Sequence, residues 1–381
     1  MSILVESKVN VTEHPIIMNS TAMDGTTTPY DYLVDQNKLF TFAGAVTVTT
    51  VLGILSLFGM FANLITFIVI LRMKKTIFSI ILASLCLSDF LSALDSPFVI
   101  YRSTFGYRYY EASEAVCKIA QAVDFWTTIL TIQHILIFAI LRLISVSNPH
   151  KFRKVNTKHA TFIVAFIWIE TLLVGFVCFV LWPGVHMPPA HAFGGRSCRM
   201  QRKWVPMAMI YSIYIFPILL YLPMLLVVVV CVILCIVILR KRFKSSGENF
   251  SITHRRSANT EKKENYALLQ LTLIVASFLF GYIPDISYRA TAIISKSRKA
   301  PLTPRVEWLY SVIAHCLLRI SECLNPIFYN LGSSSKMRRA TFAFLRKCAH
   351  LTPTVGSRSS KSISSSRSGN PSTPQLATTR I

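Results

Sequence analysis

Long uncharged apolar blocks constrain this chain more than any other feature. Ile210 to Leu239 contains no Asp, Glu, Lys or Arg, and it exceeds the about 20 residues that cross a bilayer as a helix. Seven such blocks succeed one another at 43–71, 77–100, 115–147, 159–183, 206–240, 265–295 and 306–331. Basic joints separate them, among them Arg72-Met73-Lys74-Lys75 and His150-Lys151-Phe152-Arg153-Lys154. Backbone groups in lipid must be satisfied within their own segment, which makes the blocks helices. The alternating ten-residue strands of a membrane barrel are not found in the sequence. Only 15% of the 381 residues are charged and 52% are hydrophobic, where a soluble domain carries about a quarter charged. A soluble enzyme is excluded. The sequence predicts an all-α membrane protein, a seven-transmembrane helix bundle.

The formal net charge of +23 would suggest nucleic acid in a soluble chain, but no zinc-finger or RNA-recognition pattern accompanies it. More than half of the 40 Lys and Arg lie in joints one, three and five or after the seventh block. The bilayer is therefore the expected partner, with those joints and the C-terminus in the cytoplasm. Asn10-Val11-Thr12 and Asn19-Ser20-Thr21 are glycosylation acceptors, which puts the N-terminus outside. Residues 1–42 read as an extracellular tail and 43–331 as the bundle. Residues 332–350 place Met337, Ala340, Phe342 and Leu345 among Arg338, Arg339, Arg346 and Lys347, the pattern of a basic amphipathic helix on the membrane surface. Cys348 near its end is a candidate for palmitoylation. The Ser/Thr-rich cytoplasmic tail, 351–381, is expected to be disordered. Nine cysteines show no metal-ligand spacing, so no structural metal is expected.

Polar residues inside the spans are costly in lipid and by default face the bundle interior. They are Asn63, Asp89, Asp124, Arg142, Asp285, Arg289, Arg319, Glu322, Asn325 and Tyr329. Around them lie ordered motifs: Gly59-Met60-Phe61-Ala62-Asn63 in span one and Leu85-Cys86-Leu87-Ser88-Asp89 in span two. Cys117 precedes Arg142 by 25 residues, and Pro149 follows seven later. Trp168 stands in span four, Pro223 in span five, Phe278 to Pro284 in span six and Asn325-Pro326-Ile327-Phe328-Tyr329 in span seven. In this order and spacing they resemble the rhodopsin-like G-protein-coupled receptors, over roughly residues 45–348. The departures are Leu141 in place of an acid before Arg142, Tyr282 in place of the span-six tryptophan, and Cys231 in place of the span-five tyrosine.

The resemblance implies roles. Cys117 and Cys198 would form a disulfide. Asn63, Asp89, Thr131, Ser321, Glu322 and Asn325 would form a buried sodium and water cluster, with sodium the one ion expected. Glu322 brings a second carboxylate there, so either one acid is protonated or the cation is held more tightly. Asp124, Tyr282, Asp285, Arg289, His315 and Arg319 would line a ligand cavity. Asp124 holds the ammonium in amine receptors of the family, but here Arg319 faces it, so it serves either as half of an internal ion pair or as a ligand anchor. Asp285-Ile286 replaces the aromatic pair that cages an amine, which favours a peptide ligand, as in neuropeptide receptors. Arg319 also stands where opsins carry their Schiff-base lysine, a role its guanidinium cannot fill. Arg142, Glu264, Phe278, Pro284, Pro326 and Tyr329 would form the activation switch, with Glu264 the acid available to lock Arg142. The expected function is activation of a heterotrimeric G protein, with arrestin and receptor kinases at the tail and no catalysis. A biogenic-amine receptor using Asp124 is the alternative, and a transporter or channel is the rival from another class.

Overall fold

The computed structural model describes residues 40–107, 109–186, 196–246, 254–297, 302–331 and 335–351. Seven long helices follow in chain order. Those named α1, Phe42–Arg72, α2, Ile77–Ser103, and α3, Glu114–Ser147, match the first three apolar blocks within a turn. A short helix, Pro149–Lys154, leads into α4, Thr157–Leu181. The apolar stretch Arg202–Arg240 is α5. The helices α6, His254–Ser297, α7, Pro304–Leu331, and α8, Ser335–Leu351, complete the chain.

The sequence starts these helices with local hydrogen bonds. Thr41 and Ser113 accept from the backbone N–H groups of Gly44 and Val116. Thr76 with Ser79, and Asn156 with His159, form reciprocal capping boxes, each satisfying two donors the helix would leave open. Pro97, Pro284 and Pro326 lie inside α2, α6 and α7, where each removes an N–H and bends the helix. In α5, Pro217 heads one of two π turns, Tyr211–Ile215 and Pro217–Tyr221. Both lie in the half nearest the cavity described below.

Among the described residues, five helices are long and apolar enough to cross a membrane on that ground alone: α1 through α5. The other two carry in mid-helix the charges singled out by sequence, Asp285 and Arg289 in α6, and Arg319 and Glu322 in α7.

Packing turns these polar residues inward. Asn63, Asp89, Thr131, Arg319, Ser321, Glu322 and Asn325 are all buried, while Phe162, Tyr214 and Leu225 are exposed on outer faces. Trp168 of α4 donates to Ser84 Oγ of α2 at 2.7 Å, and Ser84 bonds His134 of α3 at 2.7 Å. At Gly281 α6 and α7 approach closely: an added Cβ would lie 2.5 Å from the Ser321 Cβ and 2.9 Å from the Leu317 carbonyl oxygen. Only glycine admits that approach of α6 to α7.

Beyond α4, strands β1, Pro183–His186, and β2, Ser197–Met200, pair antiparallel, with Val185 opposite Cys198. The Cys117–Cys198 disulfide forms as expected and ties β2 to the start of α3. At the other end of the bundle, α8 packs with Met337 buried and the Arg72 guanidinium 4.9 Å over the Phe344 ring. Phe342, Leu345 and Cys348 of α8 are exposed. Asn10, Asn19 and the tail from 352 onward lie outside the described residues.

Candidate functional site

Beneath the β1–β2 hairpin lies a cavity of ≈ 350 Å³ to which α1 through α7 all contribute, within the range of small-ligand sites. One wall is aromatic: Phe125, Phe179 and Phe216 line it, with the Phe125 and Phe179 rings stacked at 3.7 Å. Its charged lining residues are Arg102, Asp124, Asp285 and Arg289, with His315 also facing it. Three of these bind each other. Arg289 donates from Nε to Asp285 Oδ2 at 2.7 Å and from Nη2 to Asp124 Oδ2 at 3.2 Å, and its guanidinium lies 4.5 Å over the Phe125 ring. The first bond stays within α6; the second joins α6 to α3.

That geometry corrects the expected Asp124–Arg319 pair. Arg319 lies deeper, 1% exposed, and turns to its own helix. Its Nη1 donates to Glu322 Oε2 at 2.6 Å and to Ser92 Oγ at 2.6 Å, while Ser92 donates to Glu322 Oε1 at 2.9 Å. Spacing explains the outcome: residues three or four apart on a helix meet without bridging a cavity. Asp285–Arg289 and Arg319–Glu322 both use it, and Arg289, which meets Asp285 through Nε, reaches Asp124 with Nη2. Tyr282 and Arg319, expected in the cavity wall, do not line it. Tyr282 is buried against Phe278, ring centres 4.5 Å apart. Arg319 touches the cavity only through His315, whose Nε2 accepts from Arg319 Nε at 3.3 Å.

Further in, Asn325 Nδ2 donates to Asp89 Oδ2 at 2.9 Å, and Thr131 Oγ1 approaches Asp89 Oδ1 at 3.5 Å. Ser321 links α7 to Ser277 of α6 at 3.2 Å. Asn63 donates to the Glu322 backbone oxygen at 3.3 Å. The two acids expected to compete are therefore separately provided for: Arg319 answers Glu322, and hydrogen-bond donors hold Asp89. Sequence reading passed over Arg102, Ser92 and Asp95, the last buried with Oδ2 lacking a hydrogen-bond partner. Their spacing from Asp89 on α2 was the available signal: three and six residues to Ser92 and Asp95.

At the far end, the Arg142 guanidinium lies 3.7 Å over the Phe78 ring and 5.3 Å over Phe138. It forms no ion pair among the described residues. The expected lock with Glu264 rests on a side chain outside the described residues, although position 264 is helical in α6. Pro326 and buried Tyr329 complete this end of α7.

Residues 62–329, well over half of the chain, match the family described as "7 transmembrane receptor (rhodopsin family)". The chain belongs to that family. Its members are receptors, not enzymes, and are integral multi-pass membrane proteins. Among curated proteins, the receptor is similar to neuropeptide Y receptor type 1 of Xenopus laevis, 24% identical over 305 residues, covering 77% of this chain and 79% of that one. It is also similar to growth hormone secretagogue receptor type 1 of Homo sapiens, 24% identical over 293 residues, 75% of this chain and 77% of that one. The same receptor type from Mus musculus is 24% identical over 294 residues, 75% of this chain and 77% of that one.

Proposed function

We propose that this receptor binds an extracellular peptide in the cavity beneath the β1–β2 hairpin and activates a heterotrimeric G protein. In this reading α1–α7 all span the plasma membrane, with the N-terminus outside, the C-terminus inside and α8 on the inner surface. The observation that carries the peptide reading is the Asp285–Arg289–Asp124 cluster. An amine receptor needs a carboxylate free for the ligand's ammonium, and here Asp124 already accepts from a guanidinium. The likeness to receptors named for neuropeptide Y and for growth hormone secretagogues supports the same choice. A ligand that draws Asp124 or Arg289 to itself loosens α6 from α3, and the change passes through Tyr282, Phe278 and the Pro284 bend to Arg142 and Tyr329.

A sodium ion suits the Asp89 cluster. Asp89 is fully buried, and Asn63 Oδ1 and Asn325 Oδ1 are buried acceptors without a hydrogen-bond partner. Asp89, Thr131, Ser321 and Asn325 would hold the ion, which would neutralise the one buried carboxylate there that has no cationic partner. Asn10 and Asn19 would carry glycans, Cys348 a palmitoyl chain, and the tail would serve receptor kinases and arrestin.

The test is a screen of peptides and biogenic amines against cells carrying the receptor, read by G-protein activation. Activation by a peptide supports the reading; activation by amines alone, abolished by Asp124→Asn, restores the amine alternative. Ion or solute flux through reconstituted vesicles would instead mark a transporter or channel.

A further inference from the structure

We propose that the ligand is an acidic peptide: a carboxylate at its entering end binds Arg102, and the segment outside follows a basic rim on β2 and the start of α5. This rests on the peptide reading above and adds the ligand's chemistry to it.

The cavity's charge inventory comes first. Asp124 and Asp285 both accept from Arg289, so one guanidinium already serves two carboxylates. That cluster is anionic in sum and repels a further acid. Arg102, on the α2 side, lines the same cavity and makes no ion pair or hydrogen bond among the described residues. An unmatched guanidinium presents five donors in a fork that fits a carboxylate in two parallel bonds. The opposite wall, Phe125, Phe179 and Phe216, favours an apolar or aromatic side chain. The complementary end therefore pairs a carboxylate with an apolar group.

The mouth points the same way. Arg196, Arg199, Arg202 and Lys203 are exposed along β2 and the turn after it. No Asp or Glu occurs between Trp182 and Arg240 to balance them. The disulfide to Cys117 fixes this strand over the cavity, and Met200, next to Arg199, is part of the cavity lining. Elsewhere on this face, Glu114 is taken by Lys118 at 2.7 Å, and exposed Glu111, next to the Tyr110 whose N–H donates to the Arg196 carbonyl, sets one acid against these four bases. A rim with a net charge of one sign beside a cavity raises the capture rate of ligands of the other sign and disfavours those of its own.

The experiment selects binders from a random displayed peptide library on the purified full-length receptor, in parallel for wild type, Arg102→Gln and Arg102→Lys. Size-exclusion profiles verify folding of each. The expected result is enrichment of Asp and Glu in wild-type binders. Their affinity falls about tenfold to a hundredfold for Arg102→Gln, the loss of a hydrogen bond to a charged group, and less for Arg102→Lys. Binders without acid enrichment, or equal affinity for Arg102→Gln, overturn the proposal and leave the peptide reading standing. No peptide retained at all overturns both. Residues 1–39 carry Glu6, Glu13, Asp24, Asp31 and Asp35 against Lys8 and Lys38. If acidic peptides bind only after these five acids are changed to amides, that segment is the occupant and the proposal falls.

Discussion

Arg319 and Glu322 are among the most deeply buried charges in the receptor, 1% and 2% exposed, and each is costly without the other. Breaking a buried pair on one side costs about 3–5 kcal/mol, because the remaining charge is stranded. Glu322→Gln should therefore sharply reduce surface expression and thermal stability, and Arg319→Met with Glu322→Leu should recover much of both. Asp124→Asn should leave this stability largely unchanged, since Arg289 keeps Asp285. Equal losses for Asp124→Asn and Glu322→Gln, seen in melting curves, would reinstate the cross-cavity pair. The intramembrane charges were legible in the sequence because lipid makes them conspicuous. Their pairing across helices was not, because it depends on how each helix is rotated about its axis. The part within reach was the spacing of three and four residues at Arg319–Glu322 and Asp285–Arg289. Arg142 is the complementary case. Its packing on Phe78 needed the relative placement of α2 and α3, which no motif around Leu141-Arg142-Leu143 records. A cation on an aromatic face gains about 0.5–2 kcal/mol, so Phe78→Leu should free Arg142 and raise basal G-protein activation about twofold or more. Basal activity equal to wild type, at matched surface expression, would remove Phe78 as the holder.

At the scale of helices, α6 is the element held from two sides. Gly281 and the Ser277–Ser321 contact seat it on α7, and Arg289–Asp124 fastens its outer half to α3. The two carboxylates on Arg289 provide a built-in control. Asp285 is four residues away on the same helix and restrains nothing between helices; Asp124 restrains α6 against α3. Asp124→Asn should raise basal signalling severalfold, the effect of about 1 kcal/mol on a minor active population. Asp285→Asn should not. Both variants remove one negative charge beside the same guanidinium, so an equal rise in the two would mean that local charge, not the link between helices, sets the resting state. The helices themselves were plain from hydropathy, since α1 to α5 announce their length by apolar content alone. For α7 the same rule weakens, because Arg319 and Glu322 dilute its apolar run, whereas α6 has an uncharged stretch, 266–283, that precedes Asp285 and Arg289.

For the whole molecule, the decisive sum is the charge of the buried cluster around Asp89. Arg319 cancels Glu322, so of the two acids in the Asp89 cluster only Asp89 is left without a cation. A monovalent cation then restores neutrality, as it could not if both acids were unpaired. Binding to the folded state alone stabilises by mass action, about 1.4 kcal/mol at ten times the dissociation constant, or a rise of about 1–3 °C in melting temperature for a chain this long. The purified receptor should therefore melt higher in sodium chloride than in choline chloride of equal ionic strength. Asp89→Asn should abolish the difference by removing the charge. Arg319→Gln should enlarge it or destabilise the fold, because Glu322 would then lack its cation. A melting temperature indifferent to sodium in the wild type would mean that Asp89 is neutral in the folded state. Donation from Asn325 and Thr131, together with a bound proton, would then meet the whole cost of its burial.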